Sequence, residues 1–131
     1  MSNKPYRLAQ VGSRIDRTKK VHFSFDGKQL TGFAGDTLAS AVMANGSKLF
    51  GRSFKYHRPR GVVGLGSEEM NALVGVGDGS RHEPNLRATQ VELFDGLQAV
   101  SQNPAKTRRA SGCRGESPAR TMGSSIATVR A

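Results

Sequence analysis

The side chains with the most chemical reach gather in one stretch, Arg52-Ser53-Phe54-Lys55-Tyr56-His57-Arg58-Pro59-Arg60-Gly61. Four of these ten residues are Arg or Lys, two are aromatic and one is His. Guanidinium groups make charge-assisted, bidentate hydrogen bonds to carboxylates and phosphates, while aromatic rings stack on bases or fill a partner's pocket. Such a segment can dock the domain to a larger protein, grip nucleic acid through residues 52–60, or stand as a charged, solvated loop. Pro59 biases Arg58 away from the helical region, so the segment is predicted to be an extended, partly exposed strap.

Elsewhere, groupings that could carry catalysis are scarce. His57 and His82 have no cysteine or second histidine at metal-ligand spacing, which argues against zinc. Glu68 and Glu69 are adjacent, point to opposite faces of an extended chain, and read as a solvated turn. Gly64-Leu65-Gly66 and Gly75-Val76-Gly77-Asp78-Gly79 lack the full glycine spacing and do not open a helix after a strand, so neither is a dinucleotide fingerprint. The residues therefore assign no catalytic, cofactor-binding or metal position. The candidate site is an interface made of Arg52, Lys55, Tyr56, His57, Arg58 and Arg60.

The elements that must position this strap are legible from periodicity. Val21-His22-Phe23-Ser24-Phe25 alternates apolar and polar residues as a half-buried strand does. Asp26-Gly27 tolerates the positive φ angles of a tight hairpin turn, and Lys28 to Phe33 returns as the second strand. His22 falls on the polar side. Asp36 is the predicted N-cap of a helix near 37–45, with Leu38, Ala41 and Val42 at helical spacing and Asn45-Gly46 as its stop. A helix of about nine residues is too short to stand alone in water, so it must lie on the sheet. After the strap come an irregular stretch and a strand at Ala72–Val76. A loop at Arg81–Arg87 and a further strand at Thr89–Phe94 follow. Asp95-Gly96 signals a second hairpin returning through Leu97–Val100.

Composition divides the chain. It carries 20 basic and 10 acidic residues, a net charge of +10. Half of that charge lies from Asn103 onward, where 6 basic residues face 1 acidic. That placement weakens any argument from net charge to a nucleic-acid face. Residues 1–17 read as an arm, packed through Leu8, Val11 and Ile15, with solvated charges. Residues 18–102 read as one folded domain with a modest core, and 103–131 as a disordered basic tail with too few large apolar side chains to offset its ordering entropy. The tail's Arg, Ser, Ala and Gly bias also resembles GC-rich DNA translated in a wrong frame. Cys113 is the single cysteine, which excludes an internal disulfide framework. No run approaches the ~18 apolar residues of a membrane span, and residues 1–6 lack a signal peptide's apolar stretch, so a cytoplasmic protein is expected.

The order strand, strand, helix, irregular loop, strand, with Gly35-Asp36-Thr37-Leu38, resembles the β-grasp fold of plant-type [2Fe–2S] ferredoxins. The implied fold class is α+β, a mixed sheet with one main helix. In that family cysteines run C-x4-C-x2-C with a distant fourth. The pattern falls on Gly64, Glu69, Ala72 and Thr89, none of them cysteine, so the scaffold resembles a cluster carrier without the means to hold a cluster. Closer still is the α subunit of heterotetrameric sarcosine oxidases. Arg14-Ile15-Asp16-Arg17, Gly35 to Ala41, Gly51 to Gly61, Asn71-Ala72-Leu73-Val74, Glu83-Pro84-Asn85, Arg87 to Leu93, Asp95-Gly96-Leu97 and Ser101-Gln102-Asn103 carry this resemblance. It implies a non-catalytic leading domain, inactive alone, that docks to the rest of the α subunit and to the other oxidase subunits. FAD, FMN, NAD and tetrahydrofolate would be bound elsewhere in the complex. From Pro104 the family pattern stops, in keeping with truncation or a frameshift.

Overall fold

Val21, Phe23 and Phe25 are buried while His22 is exposed. That alternation fixes which face of the first strand meets the core. In the computed structural model, which describes residues 6–104, this strand is β1 (Asp16–Phe25), followed by β2 (Lys28–Ala34). The two pair antiparallel, Phe25 opposite Lys28, with an irregularity between Asp16 and Lys20. Their turn places Asp26 at φ 49° and Gly27 at φ 78°, the left-handed pair that an Asp-Gly turn supplies at least cost. The tail expected to be disordered lies, from residue 105 on, outside the described residues.

Helix α1 (Leu38–Ala44) follows. Its N-cap is Thr37, one residue later than expected. The Thr37 hydroxyl accepts from the Ser40 amide, and the Ser40 side chain accepts from the Thr37 amide, a reciprocal box that satisfies two orphan donors. Asp36, the predicted cap, is instead buried and accepts from the Arg7 guanidinium, the Phe33 amide and the Ser40 hydroxyl. Leu38, Ala41 and Val42 face inward as expected. Burying side chains as large as Leu38 and Phe23 stabilises the fold by about 1.5–3 kcal/mol each.

Next come β3 (Gly51–Arg52), β4 (Pro59–Arg60), β5 (Leu73–Val76), a 3-10 turn at Gly79–Arg81, β6 (Glu83–Arg87) and β7 (Leu97–Ser101). The main sheet has the order β2-β1-β7-β5-β6, with β7 parallel to β1 and every other pair antiparallel. This is a mixed sheet under one helix, the β-grasp arrangement, and the expected fold class holds.

Two expectations fail here. Arg81–Arg87 is not wholly a loop, because β6 occupies most of it as an exposed edge strand. An edge tolerates Pro84, which has no ladder donor to offer. Thr89–Phe94 is not a strand. Among the described residues its only pairing is a single bridge from Glu92 to Thr37, and its alternation reflects Val91 and Leu93 packing onto the core. Asp95-Gly96 consequently closes no hairpin. The Asp95 carboxylate accepts from the His22 amide at 2.9 Å, and the Gly96 amide donates to the His22 carbonyl at 2.8 Å, tying this turn to β1.

The arm also departs from expectation, since Leu8 and Val11 are exposed. Arg7 ties it down, reaching Asp36 with Nη1 at 3.1 Å and Nη2 at 2.5 Å.

Candidate functional site

The strap is a two-stranded hairpin rather than a single extended segment. Gly51 pairs with Arg60 and Arg52 with Pro59 across β3 and β4. Ser53 closes the turn: its amide donates to the Arg58 carbonyl at 2.9 Å, its carbonyl accepts the His57 amide at 3.1 Å, and its hydroxyl accepts the Arg58 amide at 2.9 Å. His57 takes a left-handed φ of 50°.

The base is fixed to the core. Phe50 is buried, its ring 5.6 Å from that of Phe25, and its carbonyl accepts the Ser101 hydroxyl. The Arg52 amide donates to the Asn103 carbonyl at 3.0 Å. A Cβ on Gly51 would lie 2.6 Å from that same carbonyl oxygen, so only glycine lets the hairpin sit this close. Gly51→Ala is expected to cost about 1–3 kcal/mol by overpacking, read as a lower melting temperature of the full chain.

All six predicted interface residues lie on this hairpin: His57 in its turn and the other five in two groups. Lys55, Tyr56 and Arg58 form the tip. Lys55 Nζ lies 5.5 Å and the Arg58 guanidinium 5.3 Å from the Tyr56 ring centroid. Phe54 is 92% and Tyr56 68% exposed. Arg52 and Arg60 frame the base. Arg52 Nη1 donates to the His57 carbonyl at 2.8 Å, and Arg60 Nη1 donates to Asn71 Oδ1 at 2.6 Å.

Through Asn71 the hairpin meets the loop that precedes β5, and there the structure corrects the reading of Glu68 and Glu69. Glu68 is exposed, but Glu69 is buried, 1% accessible. Its Oε2 accepts the amides of Val63 at 2.7 Å and Gly64 at 2.6 Å. Its Oε1 accepts those of Asn71 at 2.8 Å and Ala72 at 3.0 Å. Burial alone would raise the Glu69 pKa, but the four amide bonds outweigh it and hold the carboxyl below the ordinary value. The loop is braced from outside. Arg87 Nε donates to the Glu69 carbonyl at 3.1 Å, and the Thr89 hydroxyl donates to the Gly66 carbonyl at 2.8 Å.

The four positions where a [2Fe–2S] pattern would place thiolates therefore converge in space, yet they do not suit a cluster. Gly64, Ala72 and Thr89 bring no metal-binding side chain, and both Glu69 oxygens are engaged by amides. A Cβ at position 64 would lie 2.8 Å from the Glu69 nitrogen and 3.0 Å from its Cα, leaving no room for a ligand side chain. Among the described residues, no group of three or more His, Cys, Asp or Glu could hold a metal ion. None of their helices is long and apolar enough to cross a membrane.

Comparison with known proteins agrees with the fold, though not with the lack of a cluster site among the described residues. The model of the 2Fe-2S iron–sulfur cluster binding domain matches residues 18–104. The chain is 58% identical over 98 residues to the sarcosine oxidase subunit alpha of Rhizobium meliloti (strain 1021), covering 75% of the chain and 10% of that protein. It is 43% identical over 106 residues to the subunit alpha of Corynebacterium sp. (strain U-96), covering 75% of the chain and 11% of that protein. Among solved structures it is similar to L-proline dehydrogenase from P. horikoshii, with a TM-score of 0.54 and 27% identity over 67% of the chain and 16% of that one. The chain thus spans about a tenth of the curated relatives it matches.

Proposed function

The chain belongs to the 2Fe-2S iron–sulfur cluster binding domain family, and from that premise we propose that it is a non-catalytic docking domain of a sarcosine-oxidase-type α subunit. The likeness to sarcosine oxidase subunits alpha supports the parent enzyme. The observation that carries the docking role is the hairpin tip, where Phe54 and Tyr56 are held in water on a base locked to the core. Large rings exposed on a rigid support are what a partner's pocket takes up, and Tyr and Arg are the side chains most enriched among interface hot spots.

In this reading Tyr56 is the anchor. Lys55 and Arg58 lie over its ring and present charge to carboxylates or carbonyls of the rest of the α subunit and of neighbouring subunits. Arg52, His57 and Arg60 shape the hairpin that presents them. Oxidative demethylation of sarcosine, and the FAD, FMN, NAD and tetrahydrofolate that the resemblance implies, belong to the complete complex, in the cytoplasm.

The test is made in a complete α subunit carrying this domain. Because Arg52 and Arg60 bond within the fold, the informative variant is Lys55→Ala/Tyr56→Ala/Arg58→Ala. Loss of a hot spot worth about 2 kcal/mol or more weakens subunit association roughly thirty-fold or more, while turnover per assembled complex stays unchanged. If association is intact and turnover collapses, the tip serves the chemistry. If neither moves, the docking reading fails. Salt-sensitive binding of oligonucleotides by the unaltered chain would favour a nucleic-acid module instead.

A further inference from the structure

The loop around Glu69 has the architecture of a binding site with its ligand built in. Two consecutive pairs of amides, Val63 with Gly64 and Asn71 with Ala72, approach one carboxylate from two sides. Four inward N–H dipoles create a positive potential at their meeting point, which selects an anion and repels a bare cation. Each carboxylate oxygen takes two donors, so the match between site and occupant is complete. We propose that residues 63–72 form an anion cradle whose resident ligand is the chain's own Glu69 carboxylate, replacing a metal cluster as the element that holds this loop closed.

Three further observations fit. The C-x4-C-x2-C spacing falls on residues 64, 69 and 72, and the structure brings those three together at the carboxylate. The cradle therefore occupies the place of the cluster rather than a neighbouring surface. Gly64, which has no side chain, lets the loop close onto the Glu69 backbone at a separation no Cβ would permit. Thr89, at the fourth position, spends its hydroxyl on the Gly66 carbonyl and so closes the loop by an ordinary hydrogen bond. Three of the positions that would share a cluster, 64, 69 and 72, meet instead at a hydrogen-bonded carboxylate, and the fourth ties the loop shut beside it. The loop's shape then depends on neither iron nor redox state. Its outer residues Leu65 and Met70, both largely exposed, stay presented with no metal bound.

Carboxylate chemistry predicts a specific rescue. Glu69→Ala removes CH2–COO⁻, the framework of acetate, and leaves four amides without an acceptor. The full chain carrying Glu69→Ala is expected to melt lower by about 10 °C or more. Sodium acetate or formate restores that loss saturably, whereas sodium chloride at the same ionic strength does not. Glu69→Gln keeps the volume but turns an NH2 toward two N–H donors, so it also melts lower and is not rescued. In the unaltered chain the amides of residues 63, 64, 71 and 72 exchange with deuterium slowly and together, and supplying iron and sulfide yields no stoichiometric cluster.

A Gln variant that melts with the unaltered chain overturns the proposal. So does exchange of those four amides as fast as at Leu65 or Glu68, a folded Ala variant indifferent to acetate, or a stoichiometric cluster on reconstitution. If the Ala variant does not fold, the Gln variant and the exchange measurement decide alone.

Discussion

Arg7→Ala is expected to lower the melting temperature of the full chain by about 12–24 °C, since removing one partner of a buried ion pair costs about 3 kcal/mol or more. The Asp36 side chain has no exposed surface, and that of Arg7 is only 17% exposed. The guanidinium meets both carboxylate oxygens and lies 5.3 Å from the Phe33 ring centroid. Without it, Asp36 keeps the Phe33 amide and the Ser40 hydroxyl, too little to compensate a buried charge. Asp36→Ala removes the charge along with the bond, so the double variant should melt above the sum of the two single losses. Thermal melts of the four proteins measure that coupling. Arg7 lies ahead of the residues matched by the family model, so the same melts show whether the arm belongs to the folding unit. An Arg7→Ala chain that melts with the unaltered one detaches it.

That pair also marks where sequence reading stops. Asp36 stands before a helical pattern, and capping is the local use of such a residue. Its actual partner lies 29 positions away, and Thr37 caps instead. The first hairpin, the helix and β7 were legible because their apolar residues repeat at the period of their own element and their turns carry Asp-Gly or Asn-Gly. β6 was not legible, because an exposed edge strand need not alternate, and Pro84 and Asn85 both read as loop residues. Thr89–Phe94 misled in the opposite direction. Its backbone serves α1, with the Leu38 amide donating to the Val91 carbonyl and the Leu93 amide to the Asp36 carbonyl. Val91 and Leu93 turn inward without any ladder.

At the candidate site, composition revealed which residues cluster but not the fold that presents them. Nothing in the types of residues 52–60 requires His57 to turn left-handed or the Ser53 hydroxyl to close the turn. Glu69 was the larger omission. Beside Glu68 it looks like half of a solvated pair, and no local pattern says that the chain wraps amides from both sides around it. The available signal was its place in the C-x4-C-x2-C spacing, where a side chain must point inward whatever its type.

Acid should act on the fold through this residue more than through any surface carboxylate. A carboxyl whose pKa is lower in the folded than in the unfolded chain contributes stability that is fully present above the unfolded value. That contribution is lost as pH falls through the folded one. For Glu69 the loss begins below the ordinary glutamate value of 4.5 and runs downward, because the protonated group turns an acceptor oxygen into a donor among four N–H groups. Asp16 is also held low, chiefly by the Thr18 hydroxyl, but it is exposed and water can take over its bonds. Hydrogen bonds to a charged group contribute about 1.5–3 kcal/mol each, and Glu69 makes four of them. The melting temperature should therefore change little from about pH 7 to pH 5 and fall steeply below about pH 4.5. The Glu69→Gln chain, already less stable at neutral pH, has no such proton to take up and should show a shallower acid limb. Melting curves of both proteins across that range test the assignment. Parallel acid limbs would place the titrating group elsewhere and leave Glu69 a neutral bystander.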